Sequence, residues 1–128
     1  EVFGADGNRS IYRRLEMGQA SAALADLSIV TAGHNRYETF EHICADILQG
    51  VEAAEKEMGH PADYMVIPNR QKAICFAIET AREGDLITIL GLGHESYQEE
   101  NGIKSPHSDI GFVRQVTKAL GLQSELGR

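Results

Sequence analysis

Cationic residues are scarce in this sequence: its 128 residues include 12 lysines and arginines against 19 aspartates and glutamates, a formal net charge of −7. Nucleic acids and anionic membranes are bound by clustered lysine and arginine, so this charge balance disfavours both as main partners. No apolar run approaches the length of a membrane-spanning helix. A small polar metabolite fits the composition better as a partner.

Cysteine is equally scarce. Cys44 and Cys75 are the two cysteines, and each lies among apolar residues at helical spacing, which predicts reduced core thiols in a cytoplasmic protein. The histidines also lack a metal-ligand spacing such as H-x-x-x-H, so no metal site is expected. The four considered for such a site are His34, His42, His60 and His107.

A phosphate loop of the form G-x-x-x-x-G-K-[ST] is missing as well, so nothing in the chain predicts ATP binding by these residues. The segment Gly91-Leu92-Gly93 follows an apolar run, but it lacks the third glycine of a dinucleotide-binding fingerprint. It also leads towards a hairpin signal instead of a helix. Dinucleotide binding is therefore rejected at this loop.

Short β-like runs alternate with stretches that carry an apolar residue every three or four positions. The runs cover residues 2–5, 28–31, 64–67 and 86–90. This alternation predicts one α/β domain over residues 1–128, Rossmann-like, with a mostly parallel sheet and helices on both faces. The opening segment resembles a strand of a domain cut from a longer chain.

Turn and cap residues refine this prediction. Asn69 is a suitable cap for the third helix, which is expected to end at Gly84, and Ser108 is a suitable cap for the fourth helix. Asn101-Gly102 separates two short extended runs and predicts a tight antiparallel hairpin.

Ligands of open α/β sheets bind at the carboxyl ends of the strands. Three loops leave such ends here: "DGNRSIYRR", "AGHNRYE" and "GLGHESYQ". Arg9 and Arg36 offer planar forks for a carboxylate, and Glu95 offers an acceptor for an ammonium group. Together they predict a clamp for an amino acid.

These residues also have plainer interpretations, which the sequence leaves open. A loop arginine is usually a solvated charge, which would apply to Arg9 or Arg36. His94 is suited to bracing its own loop, and Glu99-Glu100 to a solvated hairpin tip. Without a family resemblance, these residues predict only that the chain forms the binding half of a larger site.

Four segments carry a family resemblance in the same order along the chain. "VFGADGNRSIYRRLEMG" resembles V-F-G-x-G-G-D-R-D-x-x-K-R-P-x-M-G, and "ADILQG" resembles A-D-I-L-x-G. "IPNRQKAI" resembles x-x-D-R-x-x-A-I, and "GLGHESYQ" resembles G-K-G-H-E-x-Y-Q. The chain thus resembles the C-terminal domain of the Mur ligases that add the third peptide residue to UDP-N-acetylmuramoyl dipeptide.

The resemblance implies an ATP-dependent ligase of peptidoglycan precursor synthesis. ATP phosphorylates the dipeptide carboxylate in that reaction, and the amine of the incoming amino acid then displaces phosphate. ATP and Mg²⁺ are expected to bind mainly to a central domain outside this chain, and the UDP-sugar dipeptide to an N-terminal one. The isolated chain is accordingly expected to be inactive, with no catalytic residue of its own.

The resemblance also implies residue roles. Arg9 matches an arginine that pairs with the amino acid's carboxylate. Glu95 matches an acid that receives an amino group, and Gly91 matches a position whose backbone contacts the amino acid. His34 and Arg36 lie in the loop expected to meet the amino acid's side chain. In the same first segment, Arg13 and Arg14 are expected to lie near the nucleotide.

Several positions depart from the family pattern. The family's D-N-P-R, typical of enzymes that add diaminopimelate, is Gly33-His34-Asn35-Arg36 here, and a motif lysine is Leu92. Loss of the aspartate and asparagine removes acceptors for a distal amino group, so the added amino acid is left open among diaminopimelate, lysine, ornithine or another. A degenerate, non-catalytic binding or scaffold domain is the alternative function.

Overall fold

The computed structural model describes residues 1–122, which form six strands and four helices. In chain order these are β1 (Val2–Phe3), α1 (Ile11–Leu24), β2 (Ser28–Val30), α2 (Phe40–Met58), β3 (Tyr64–Val66), α3 (Arg70–Thr80), β4 (Ile89–Leu90), β5 (Tyr97–Glu100), β6 (Ile103–Pro106) and α4 (Asp109–Ala119). No helix within residues 1–122 has both the length and the apolar composition needed to cross a membrane.

The main sheet has the strand order β3-β2-β1-β4, and every pair in it is parallel. Val2 of the central strand β1 lies opposite Ile29 on one side and Ile89 on the other. Because parallel strands need a crossover connection, the helices lie between them in sequence. The predicted fold class is confirmed: a mostly parallel α/β sheet with a separate antiparallel hairpin.

The core lies on both faces of this sheet, because successive strand residues point to opposite sides. Val2 and Ile29 pack against Ile74 of α3, with residues of α4 at the edge of the cluster. Phe3 and its neighbours pack on the other side against α1 and α2. Helices therefore cover both faces, as the alternating pattern predicts.

Helices α1 and α2 approach each other closely because each has a glycine at the contact. A Cβ added at Gly18 would be 2.0 Å from the carbonyl oxygen of Ile47, and one added at Gly50 would be 2.0 Å from that of Leu15. Any larger residue at either position would push the helices apart.

The predicted caps are present. The side chain of Asn69 accepts from the backbone N–H of Lys72, and that of Ser108 accepts from Gly111. The predicted end of α3 at Gly84 is wrong, because the helix ends at Thr80 and Gly84 lies in the turn that follows. The fourth strand is also shorter than predicted, since β4 begins only at Ile89.

The Asn101-Gly102 hairpin is confirmed: strands β5 and β6 pair antiparallel on either side of it. Asn101 has φ 51° and Gly102 has φ 75°. Positive φ at both central residues is the two-residue turn whose twist matches that of paired strands, which is why Asn-Gly predicts it.

Candidate functional site

The structure brings together the loops that follow β1, β2 and β4. The backbone N–H of Gly7 donates to the carbonyl of His34 at 2.7 Å, which joins the first loop to the second. A Cβ added at Gly91 would be 3.0 Å from the carbonyl oxygen of Gly4, so the third loop lies directly against the first. All three predicted loops thus meet at the carboxyl end of the parallel strands.

Gly91 is required at its position for two reasons. Its φ of 116° lies in a region that side chains disfavour, and a Cβ there would lie only 3.0 Å from the Gly4 carbonyl oxygen, so the Gly4 backbone would have to shift. Leu92, which follows it, is buried although it replaces a motif lysine. The sequence does not predict this burial, because Leu92 lies in a loop between two glycines and is followed by polar residues.

His34 and Glu95 form the central polar contact of the site. The Nε2 atom of His34 contacts a carboxylate oxygen of Glu95, while Nδ1 accepts from the backbone N–H of Glu99 at 3.0 Å. Because Nδ1 accepts a hydrogen bond, it carries no proton, and the arrangement assigns the neutral tautomer in which Nε2 donates to Glu95. The buried imidazole also stacks on Tyr97, with ring centroids 5.0 Å apart.

Glu95 is held as a carboxylate. The hydrogen bond from His34 lowers the pKa of Glu95 below its usual value. Its side chain is 37% exposed, so it can still accept a further hydrogen bond from a ligand. An ionised, accessible acceptor is the group needed to receive an ammonium.

Arg36 is fixed by the hairpin as well as by its own loop. Its backbone N–H donates to Glu99 and its carbonyl accepts from Asn101, which holds it at φ 52°. Its side chain donates from Nη1 to the carbonyl of Gly7 at 3.1 Å and remains partly exposed. The guanidinium therefore lies between the first and second loops with donors left for a ligand.

Arg9 and Arg13 are exposed at the start of α1, Arg9 in the loop and Arg13 in the first helical turn. Arg14 differs sharply, since its side chain is only 2% exposed. Arg14 is engaged inside the domain, so proximity to a nucleotide stays a prediction that now depends on Arg13.

Arg14 braces the first two loops from the α1 side. It donates to both carboxylate oxygens of Glu38 at 2.7 and 2.9 Å, to Asp46 at 2.8 Å and to the carbonyl of Asp6 at 3.1 Å. Glu38 in turn accepts from the backbone N–H of Asn8. These bonds, with Arg14 the largest influence, lower the pKa of Glu38 to about 2.

Arg70 braces the second and third loops from the opposite face. It donates to the carbonyls of Ala32 and Leu90, both at 3.0 Å, and by two bonds of 2.9 and 2.7 Å to Asp109. His107 Nε2 lies 2.6 Å from the same carboxylate. Burial raises the pKa of Asp109, but Arg70 and His107 outweigh it, and the net shift is downwards.

A polar cavity of about 550 Å³ lies beside these loops, between the hairpin and the N-terminal ends of α2 and α3. Asn35 and Arg70 line it, whereas Arg9, Arg36 and Glu95 do not. Within residues 1–122, no three His, Cys, Asp or Glu side chains are grouped as a metal site would require.

Comparison with known proteins gives a consistent family. A model described as "Mur ligase, glutamate ligase domain" matches residues 1–93. A protein of Aquifex aeolicus (strain VF5), named UDP-N-acetylmuramoyl-L-alanyl-D-glutamate–2,6-diaminopimelate ligase, is 43% identical over 90% of this chain and 22% of its own length. A protein of Leifsonia xyli subsp. xyli (strain CTCB07), named UDP-N-acetylmuramyl-tripeptide synthetase, is 40% identical over 94% of this chain and 23% of its own length.

A solved structure titled as a UDP-N-acetylmuramoyl-L-alanyl-D-glutamate–2,6-diaminopimelate ligase has a TM-score of 0.80 and 32% identity, covering 96% of this chain and 25% of that one. The chain spans only about a fifth to a quarter of the length of these proteins. The family match, the fold and the quoted motifs agree: the chain belongs to the Mur ligase family and carries its glutamate ligase domain.

Proposed function

We propose that this chain is the amino-acid-binding domain of an ATP-dependent ligase that adds the third peptide residue to UDP-N-acetylmuramoyl dipeptide in peptidoglycan precursor synthesis. The observation that carries the proposal is the meeting of Arg36, the ionised Glu95 and the loop of Arg9 at one end of the sheet. The names of the similar proteins support the same reaction.

In this proposal the chain orients the nucleophile. Arg9 holds the α-carboxylate of the incoming amino acid, since a guanidinium fork meets a carboxylate with two parallel hydrogen bonds. Glu95 accepts from an amino group of the same molecule, and the backbone at Gly91 allows a close approach. Fixing the amine beside the reacting carbonyl is a proximity contribution to the rate.

ATP and Mg²⁺ belong to the proposal as groups held mainly outside this chain. When bound, ATP supplies the phosphoryl group that activates the dipeptide carboxylate. The residues described here do not fit these groups well, because residues 1–122 hold neither a phosphate loop nor a cluster of metal-binding side chains. The proposed contribution of this chain to nucleotide binding is limited to Arg13.

A non-catalytic binding or scaffold domain is the second candidate. One observation favours it: His34 already donates to Glu95, which takes up part of the acceptor that a substrate ammonium would use. The sequence preceding residue 1 in the full-length protein separates the candidates, because an intact phosphate loop there supports the enzyme and an eroded one supports the scaffold.

The direct test uses the full-length protein with ATP, Mg²⁺, UDP-N-acetylmuramoyl-L-alanyl-D-glutamate and a panel of amino acids. Diaminopimelate, lysine and ornithine are tested separately, with phosphate release and the mass of the product as readouts. The proposal expects one of them to give a UDP-N-acetylmuramoyl tripeptide in the cytoplasmic, reducing conditions that free Cys44 and Cys75 suit. If none of the tested amino acids gives an ATP-dependent product, the enzyme function is contradicted and the scaffold function is favoured.

A further inference from the structure

Asp6 is a carboxylate at the candidate site that neither the family motif nor its role in the fold accounts for. It lies in the loop after β1, and its side chain is 33% exposed. Its own backbone carbonyl is fixed by the 3.1 Å bond from Arg14, so the carboxylate projects from an anchored position. Within residues 1–122, no hydrogen bond to this carboxylate is present.

The Asp6 carboxylate covers the space beside Gly33. A Cβ added at Gly33 would be 3.7 Å from Asp6 Oδ1, an ordinary contact distance. Gly33 occupies the aspartate position of the D-N-P-R motif, and Asp6 occupies a glycine position of the V-F-G-x-G-G segment. Relative to the family motif, glycine and aspartate have changed places between these two neighbouring loops. A carboxylate therefore remains in this region although position 33 has none.

Asp6 is paired loosely with Arg36. Asp6 Oδ2 lies 3.9 Å from Arg36 Nη1, which is too long for a hydrogen bond, and that nitrogen donates instead to the carbonyl of Gly7. Neither charge is therefore saturated by the other. Glu95 differs, because it already accepts from His34.

Apart from the paired Arg14 and Glu38 and from Arg13 on α1, the acidic and basic side chains of these loops are two cations and two carboxylates. Arg9 and Arg36 carry the positive charges, and Asp6 and Glu95 carry the negative ones. A ligand with two carboxylates and two ammonium groups would meet an opposite charge at each. An amino acid with a single distal group would leave either Asp6 or Arg36 without a partner, and sites built for such groups discriminate against molecules that lack them.

We propose that Asp6 is a specificity-determining residue: its carboxylate receives the distal ammonium group of the incoming amino acid while Arg36 receives the distal carboxylate. The site then selects an amino acid that carries both groups at its far end. This inference depends on the proposed ligase function and refines it by naming the substrate class. It also removes the reason to doubt diaminopimelate that the loss of the motif aspartate gave.

The test compares two substrates that differ in one group. Meso-2,6-diaminopimelate has the distal amine, and 2-aminopimelate has the same carbon chain and carboxylates without it. In the full-length protein, Asp6→Asn keeps the shape of the side chain and removes its charge. The expected result is about a tenfold or greater rise in KM for diaminopimelate and less than a twofold change for 2-aminopimelate, since a hydrogen bond to a charged group contributes about 1.5–3 kcal/mol.

Asp26→Asn is the matched control, because Asp26 is an exposed aspartate before β2, at the opposite end of the sheet. It should leave both KM values unchanged. The ATP KM should stay within about twofold in both variants, which separates loss of specificity from loss of structure.

A charge exchange provides the rescue. Asp6→Gly alone should lose the preference for diaminopimelate, and Asp6→Gly with Gly33→Asp should restore a large part of it. Position 33 can accept a side chain after a small adjustment, because its Cβ would be 3.3 Å from the Ala5 carbonyl oxygen.

Suppose that the wild-type protein ligates either substrate and that Asp6→Asn leaves the ratio of the two KM values unchanged. This result would overturn the role of Asp6 and leave the ligase function intact. A wild-type protein that ligates no amino acid overturns the proposed function itself. The two failures are therefore distinguishable.

Discussion

Two buried arginines hold the candidate site from opposite faces of the sheet, and their surroundings differ. Arg14 on α1 binds Glu38 and Asp46, whose side chains are 19% and 13% exposed. Arg70 on α3 binds Asp109, whose side chain is 6% exposed. Each also donates to backbone carbonyls of the loops: Arg14 to Asp6, and Arg70 to Ala32 and Leu90.

The difference concerns how the loops of the candidate site are fixed from the two faces of the sheet. Arg14 joins the first loop to the second through Glu38 and Asp46, whose carboxylates are still partly in contact with water. Arg70 joins the second loop to the third inside the core, where an uncompensated charge has no access to solvent. Loss of a partner should therefore be more costly on the Arg70 side than on the Arg14 side.

The largest effect is expected from Asp109→Ala. It leaves Arg70 buried without a carboxylate, and breaking a buried ion pair from one side typically costs about 3–5 kcal/mol. Urea unfolding of the chain, followed by circular dichroism, measures the loss. The exposed Asp26→Ala is the control, and replacing Arg70 and Asp109 together by Met and Leu should cost less than Asp109→Ala alone.

A smaller loss is expected from Arg14→Met, which keeps the length of the buried stem. Glu38 and Asp46 lose their hydrogen bonds but can turn towards water, so the free energy of unfolding should fall by about 1.5–3 kcal/mol. The same urea measurement applies. A loss larger than that of Asp109→Ala would break the contrast between the two braces.

Acid should weaken the Arg14 side in a defined pH range. The pKa of Glu38 is about 2 in the folded chain against an ordinary value of 4.5. Because the folded value is the lower one, its stabilisation is fully present above pH 4.5 and is lost as the pH falls towards 2. In Glu38→Gln, the free energy of unfolding should depend less steeply on pH in this range. An unchanged slope would contradict the lowered pKa of Glu38.

The smallest effect concerns His34. Its hydrogen bond is the main cause of the lowered pKa of Glu95. His34→Ala should therefore raise that pKa towards its ordinary value, which carbon-detected NMR titration of the Glu95 carboxyl group measures directly. If the Glu95 titration in His34→Ala matches that of the wild type, the proposed tautomer and hydrogen bond are wrong.

Local signals in the sequence predict much of the fold. The Asn101-Gly102 turn and the Asn69 cap follow from the conformations that these residues favour, and alternating runs predict the parallel sheet. Exposure of β3 was not predictable, since Tyr64, Met65 and Val66 are apolar but form an edge strand whose residues are 37–42% exposed. The order of strands decides this, and no single segment encodes it.

The candidate site was predicted only in outline. Glycines and charged residues after three strands predict three loops, which the structure brings together. A lone arginine, however, looks the same in sequence whether it is solvated, as Arg9 is, or buried, as Arg14 and Arg70 are. The carboxylate partners of the two buried arginines are 24 to 39 positions away. His34 and Glu95 are separated by 61 positions, so only the folded chain brings them together.

The central claim is that the exposed Arg9 binds the amino acid's α-carboxylate. The most direct measurement is the KM of Arg9→Ala for the amino acid and for ATP in the full-length protein, beside Arg114→Ala, which removes an exposed arginine from α4. A charged hydrogen bond of about 1.5–3 kcal/mol predicts a rise of roughly ten- to a hundredfold in the amino-acid KM, an ATP KM nearly unchanged, and no effect of Arg114→Ala. An unaltered amino-acid KM, or weakened ATP binding in its place, would contradict the account.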